Sequence, residues 1–232
     1  MSKSLIEHFE TFITKNRVEL FNSVLEKRTR YITVVLEDIF QPHNASAVLR
    51  SCDCFGIQDV HIIEESNQYK VNKDVALGAD KWLTMHKHSG QNNNAEIAIN
   101  NLKEKGYRIV ATTPHKKGVE LENLNLNDGK IALCFGTEMN GLSDTIIKKT
   151  DEYVTIVMHG FTESFNISVS AAIILHHLTR KLYSSNINWQ LTQQEKNEVK
   201  LNWLRKSIKK SGLIEKSFLT KIANSQNHKK DT

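Results

Sequence analysis

At 232 residues, with 39% hydrophobic and 25% charged side chains, the chain is long enough to bury one sizeable core with appendages. Three cysteines, two of them (Cys52 and Cys54) inside a helical pattern, exclude a disulfide framework, and the absence of any run near the roughly 20 apolar residues of a span excludes a transmembrane helix. The net charge of +5 sits at the ends, +2 over residues 1–30 and +6 over 190–232 against −3 between them, a distribution that suits a phosphate-bearing partner.

Leu5, Ile6, Phe9, Phe12, Ile13, Leu20, Phe21, Val24 and Leu25 recur near helical spacing, which predicts one or two amphipathic helices closed by the basic residues 27–30. The start, MSKSLIEHFETF, lacks the apolar region of a secretory signal, and a cytoplasmic location is expected. From Tyr31 the pattern changes. YITVVLE, ASAVLRSCDCF, DVHIIE, AEIAINNLKEK, YRIVATT, KIALCFG, SDTIIKKT and YVTIV alternate short apolar runs with helical segments. Nearly continuous apolar strands with intervening helices imply an α/β fold, a mostly parallel sheet flanked by helices on both faces. Gly56 and Gly106 stand where helices turn off. NISVSAAIILHHLTRKL reads as a long helix capped by Asn166 or Ser168, and LTQQEKNEVKLNWLRKSIKKS and EKSFLTKIA as a basic helical appendage with Trp203 and Leu204 on its apolar side. The expected division is a helical extension over 1–30, a main domain over 31–184 and a basic helical extension over 185–232.

Three polar stretches interrupt this scaffold at strand ends. In EDIFQPHNASAVLRSCDCFG, Pro42 turns the chain out of the strand and Asn44 is placed to cap the following helix. Ala45, Val48, Cys52 and Phe55 form that helix's buried stripe, and Arg50, about 200° around the wheel from Val48, points away from it. In FGTEMNGLSD, Gly136 and Gly141 permit positive φ and close backbone approach on either side of Glu138, while Ser143 caps the next helix. In MHGFTESFNISVSAA, Ser164, Asn166, Ser168 and Ser170 crowd a helix start, where they can satisfy its free N–H groups or hold a ligand. Pro42 and Pro114, the two prolines, each follow a strand, where ligand loops of open α/β sheets gather. Adjacent His176 and His177 are a poor chelating pair, the other histidines are scattered, and no metal is expected. No Gly-x-Gly-x-x-Gly follows the first strand, which disfavours a dinucleotide enzyme.

QPHNASAVLR, FGTEMNGLSD and SFNISVSAA, in this order and across residues 31–184, resemble the three motifs of the SPOUT superfamily of methyltransferases, in its 2'-O-ribose branch. The His43-Asn44 pair, the short helical start and the basic helical end most resemble the tRNA guanosine-2'-O-methyltransferases of the D-loop. The resemblance implies a trefoil knot over about 108–184, a rare exception to the avoidance of knots. It implies S-adenosylmethionine bound among three loops by Thr112, Gly136, Ile156, Met158 and Phe165, mostly through backbone. It implies a homodimer joined along the helix from Asn166 to Tyr183, with tRNA as substrate, most of all guanosine 18. Two positions depart from the usual pattern: Val157 stands where relatives carry proline, and Phe165 where they carry leucine.

By the same resemblance Arg50 assists the loss of the 2'-hydroxyl proton. A guanidinium keeps its own proton, with a pKa above about 12, so gripping phosphate and 2'-oxygen is the chemistry it suits. Asn44 then orients Arg50 or the ribose, and Glu138, Ser164 and Asn166 hold the pocket and target nucleotide. The alternatives are methylation of another tRNA or rRNA nucleotide, or an RNA-binding module without turnover.

Overall fold

A computed structural model gives the architecture, described for residues 2–67, 72–90, 92–113, 118–138 and 140–227. Pro114 lies outside the described residues. The chain begins with α1 (Ser2–Glu10) and α2 (Lys15–Leu25), then β1 (Ile32–Glu37), α3 (Pro42–Cys54), β2 (Asp59–Ile63), α4 (Lys73–Ala76) and β3 (Thr84–His88). It continues through α5 (Asn94–Glu104), β4 (Arg108–Thr112), β5 (Val119–Glu120), β6 (Ile131–Phe135), α6 (Asp144–Lys149) and β7 (Glu152–Thr155). The last elements are α7 (Ile167–Tyr183), α8 (Gln193–Ser207) and α9 (Ser211–Asn227). Two compact units result, one of residues 29–190 and the other of 1–28 with 191–232.

In the larger unit all seven strands are parallel, in the order β3-β2-β1-β6-β4-β7-β5. The strand period of two sorts side chains onto opposite faces. Ile32, Val34 and Leu36 of β1 join Leu133 and Phe135 of β6 beneath α3 and α7, which contribute Val48, Leu49, Ile174 and Leu178. Val35, Ala132 and Cys134 face the other way, toward Ala98, Ile99 and Leu102 of α5 and Ile146 of α6. Both faces are therefore covered, and each fully buried Val, Leu or Ile contributes about 1.5–3 kcal/mol. Gly56 and Gly106 take positive φ (76° and 79°) just beyond α3 and α5.

The run TMHKH, Thr84 to His88, is too polar for the apolar-run criterion, yet it forms the sheet edge as β3. Its pairing corrects the reading of the histidines as scattered. The register His61↔His86 and Ile63↔His88 puts three imidazoles on one face. His61 stacks on His86 (centroids 4.5 Å apart) and on His88 (5.3 Å), and its Nδ1 lies 3.0 Å from His88 Nε2. Burial, with the neighbouring His86 and His88, pushes the His61 pKa down to about 3, and burial lowers that of His88 too. Burial opposes ionisation of Asp59, but His86, 3.7 Å away, and Arg30, at 3.1 Å, outweigh it and keep Asp59 below the ordinary carboxylate range.

The smaller unit joins the two chain ends. Leu5, Ile6 and Phe9 are buried, as are Val199, Trp203 and Leu204, and α1 packs on α8. Thr192 and Glu195 form a reciprocal capping box that starts α8. Lys196 pairs with Glu26 at 2.6 Å and Lys200 pairs with Glu10, so helices from opposite ends of the sequence are tied by charge as well as packing. The predicted break between the last two helices falls earlier than the sequence suggested, at 208–210, where Lys210 takes φ 60°.

Candidate active site

At the carboxyl ends of β1 and β6 three elements meet. Pro42 occupies the first turn of α3 and Gln41 its N-cap position, which corrects the expectation that Asn44 caps this helix. Proline fits the first helical position because its fixed φ suits the turn and no N–H is lost, so the helix starts at Pro42 and Asn44 lies inside its first turn. There Asn44, only 8% exposed, donates through Nδ2 to Gln41 Oε1 (3.1 Å) and Glu138 Oε1 (2.9 Å).

Glu138 stands in the loop 136–142 after β6. Thr137 and Gly141 exchange backbone hydrogen bonds (2.9 and 3.0 Å) and close the loop. Of the two glycines, only Gly141 uses positive φ, at 67°. Gly136 is required for space: a Cβ there would collide with the backbone of Gly141 and Leu142.

Asn166 caps α7 as expected, its Oδ1 accepting from Ser168 N (2.9 Å) and Ser168 Oγ (2.6 Å). Its Nδ2 donates to Glu138 Oε1 at 2.7 Å and to Asn44 Oδ1 at 3.2 Å. One carboxylate oxygen thus gathers amides from two helices, and among the described residues Glu138 Oε2 receives no bond. Charge-assisted bonds of this kind are about twice as strong as neutral ones.

A cavity of about 570 Å³ opens beside this network. Thr112, Gly136, Ile156, Met158 and Phe165 all line it, together with Glu138, Ser164 and Asn166. Thr112 Oγ1 donates to Cys134 O at 2.8 Å. Asn44 stands behind the wall, reaching it through Glu138. Arg50 is separate: it is exposed on α3, about 9 Å along the axis from Asn44 at the rise of an ordinary helix, and has no side-chain partner among the described residues. Eight of the ten expected residues therefore share one cavity, a ninth is bonded to it, and Arg50 stays outside.

Gln41, Glu37 and Ser143 were not among the expected residues. Glu37 is 2% exposed and accepts from Ser143 N (2.7 Å) and Ser143 Oγ (2.5 Å). The signal for it was present: an apolar strand, ITVVL, that closes on an acid. Asp38, at φ 54°, accepts from the backbone of Glu65, Ser66 and Asn67 (2.8–3.0 Å) and ties the loop after β2 to the loop before α3. Among the described residues no group of His, Cys, Asp and Glu could hold a metal ion, and no helix is long and apolar enough to cross a membrane.

The chain is similar to known proteins. The SpoU rRNA Methylase family model matches residues 31–176. A tRNA (guanosine(18)-2'-O)-methyltransferase from Borreliella burgdorferi is 44% identical over 204 residues, covering 88% of this chain and 91% of that protein. The solved A. aeolicus TrmH/SpoU tRNA modifying enzyme is similar with a TM-score of 0.71 at 27% identity, over 84% of this chain and 98% of the other. The SpoU methyltransferase AviRb from Streptomyces viridochromogenes, solved in complex with the cofactor AdoMet, is alike in fold, with a TM-score of 0.58 at 20% identity over 70% of this chain and 65% of that one. With a family match across more than half its length and a relative 44% identical along most of it, the chain belongs to the SpoU rRNA Methylase family.

Proposed function

We propose that the protein methylates the ribose 2'-hydroxyl of guanosine 18 in the D-loop of tRNA, using S-adenosylmethionine. The observation that carries this reading is the Asn44–Glu138–Asn166 network standing on the wall of the 570 Å³ cavity. The 44% identical B. burgdorferi tRNA (guanosine(18)-2'-O)-methyltransferase supports the substrate and the reaction. A tRNA substrate in turn supports a cytoplasmic setting.

The cavity fits the cofactor's chemistry. Ile156, Phe165 and Ile174 offer apolar walls for a nucleobase, Thr112, Ser164 and Asn166 offer polar groups, and the bare Gly136 leaves backbone within reach. When bound, S-adenosylmethionine supplies an electrophilic methyl group on a positively charged sulfur. The residues then align and stabilise. In-line displacement is accelerated chiefly by holding the reacting atoms in register. Asn44 and Asn166 fix the Glu138 carboxylate, whose Oε2 faces the nucleotide and orients the 2'-hydroxyl. Arg50, exposed and permanently charged, grips an RNA phosphate and the 2'-oxygen as negative charge develops there.

The knot over about 108–184 and the homodimer belong to the same reading. Three loops lining one cavity support the knot, with Thr112 and Thr113 from the first, Gly136, Glu138 and Gly141 from the second, and Ile156, Met158 and Ser164 from the third on its wall. The dimer surface needs revision from the expected one. Ile167, Ala171, Ile174, Leu175, Leu178 and Leu182 of α7 are buried in the protein's own core. Val157, Phe161 and Val169 remain exposed near the start of α7, and these are the side chains we assign to the second copy.

The test uses purified full-length protein, labelled S-adenosylmethionine and transcribed tRNA, with 2'-O-methyl groups mapped by position. Label at guanosine 18, lost when that ribose is 2'-deoxy, is the expected result. Label elsewhere in tRNA or in rRNA moves the substrate, and no label on any RNA leaves an RNA-binding module. Sedimentation of an active monomer at micromolar concentration would remove the dimer.

A further inference from the structure

We propose that Glu37 is a positioning residue for the reaction, its buried carboxylate pegging the cavity loop 136–142 to the end of β1. The inference rests on the methyltransferase reading above, and it adds a residue outside the segments QPHNASAVLR, FGTEMNGLSD and SFNISVSAA.

The loop is held from both faces of the sheet. On the face covered by α3 and α7, Asn44 and Asn166 hold its tip at Glu138. On the face covered by α5 and α6, its last residue leads into Ser143, whose N–H and Oγ–H donate to the two oxygens of Glu37 at 2.7 and 2.5 Å. Ser143 Oγ also accepts from Ile146 N (3.4 Å) as the cap of α6, so its own proton is directed at Glu37. Leu36 pairs with Phe135, so Glu37 stands level with the start of the loop while it grips the residue after the end. Six described residues of the loop, Gly136, Thr137, Glu138, Asn140, Gly141 and Leu142, line the cavity.

Burying a carboxylate in an apolar strand is costly unless its oxygens are well bonded. An apolar residue in its place would serve the core alone. The two short bonds to one residue fix the chain direction entering α6, and with it the loop's width. An ionised carboxylate accepts both donors, whereas a glutamine accepts only one of them. Burial raises the Glu37 carboxyl above the ordinary range, the Ser143 bonds pull it back, and Asp38 beside it and Glu65 from the loop after β2 push it up again. Cys134 on β6 is the other titratable neighbour, and its buried thiol stays protonated. As pH falls, Glu37 therefore takes a proton before an ordinary carboxylate does, and one acceptor for Ser143 is lost.

The experiment compares the full-length wild type with Glu37→Gln and Ser143→Ala. It reads KM for S-adenosylmethionine, kcat, tRNA affinity, melting temperature and hydrogen exchange at the Thr137 and Gly141 amides. We expect Glu37→Gln to raise KM about tenfold, the equivalent of about 1.4 kcal/mol, with tRNA affinity unchanged and faster exchange at both amides. Ser143→Ala, which keeps the N–H bond, should shift KM in the same direction by less. Wild-type KM should climb on the acid side, and that limb should be missing from Glu37→Gln. Unchanged KM and exchange in the folded variants would overturn the proposal, as would losses in KM, kcat and tRNA affinity in step with melting temperature. If Glu37→Gln does not fold, Ser143→Ala decides: an unshifted KM overturns the proposal. If the wild type neither binds S-adenosylmethionine nor methylates RNA, the functional reading fails, and the exchange at Thr137 and Gly141 alone decides whether Glu37 pegs the loop.

Discussion

Polar side chains cluster at two places in the sheet, under different rules. At the ends of β1 and β6, Asn44, Glu138 and Asn166 form a closed set of hydrogen bonds around one carboxylate oxygen on a cavity wall. At the β2–β3 edge, His61, His86 and His88 are stacked, and burial suppresses the charge of His61. The first cluster keeps an ionic group and surrounds it with donors. The second holds His61 uncharged by burying it and lines no part of the cavity. A cluster of polar side chains alone therefore does not mark a site. What separates the two clusters is a carboxylate with a free oxygen beside empty space.

Substitutions should divide along that line. The largest effect on turnover belongs to Arg50→Ala, which should lower methyl transfer by roughly 10²–10³-fold, the scale of losing one charge-stabilising donor, while calorimetry finds S-adenosylmethionine binding nearly intact. Comparable losses in both would move Arg50 into the cofactor site. Gly136→Ala should do the reverse: it forces the loop away from Gly141, costs about 1–3 kcal/mol of stability by overpacking, and weakens cofactor binding more than tRNA binding.

The histidine edge should respond to pH instead. His61 is depressed in the folded state, so its contribution is complete above the unfolded value of 6.5 and is lost as pH falls from there toward about 3. In that window His61 should lower stability by about 1.4 kcal/mol per pH unit as pH falls. Denaturant titrations of wild type and His61→Phe from pH 7 to 4 check this, and equal slopes would mean that folding does not depress His61. The smallest effect is expected far from both clusters. Lys209→Glu with Lys210→Glu, both exposed between α8 and α9, should weaken tRNA binding and make its salt slope shallower by roughly 0.7–0.9 for each phosphate no longer neutralised. Point changes are preferred to deleting 190–232, because α8 covers the buried residues of α1.

The alternation of apolar runs and helices was legible because strands covered on both faces need no polar residues, so β1, β2, β4, β6 and β7 stand out. β3 escaped notice because an edge strand carrying His and Lys lacks that pattern. The polar residues of the cavity were visible as clusters at strand ends. Their hydrogen bonds were not, because Asn44 and Asn166 lie 122 positions apart and meet only through the fold. Asn44 was misread as a cap for a local reason: the favoured place of proline is the first turn itself, which shifts the helix start back to Pro42.

The pairing of α1 with α8 has a consequence for synthesis. Ribosomes add about 5–20 residues per second, so α1 emerges roughly ten seconds or more before the helix that covers it. During that interval Leu5, Ile6 and Phe9 have no finished surface in their own unit to rest against, while the strands from β1 to β7 are already complete. The parallel sheet can close before its chain is finished, but the helical unit cannot. A nascent chain halted near residue 190 should therefore carry a folded sheet and a sticky leading end, the form in which a chaperone would meet it.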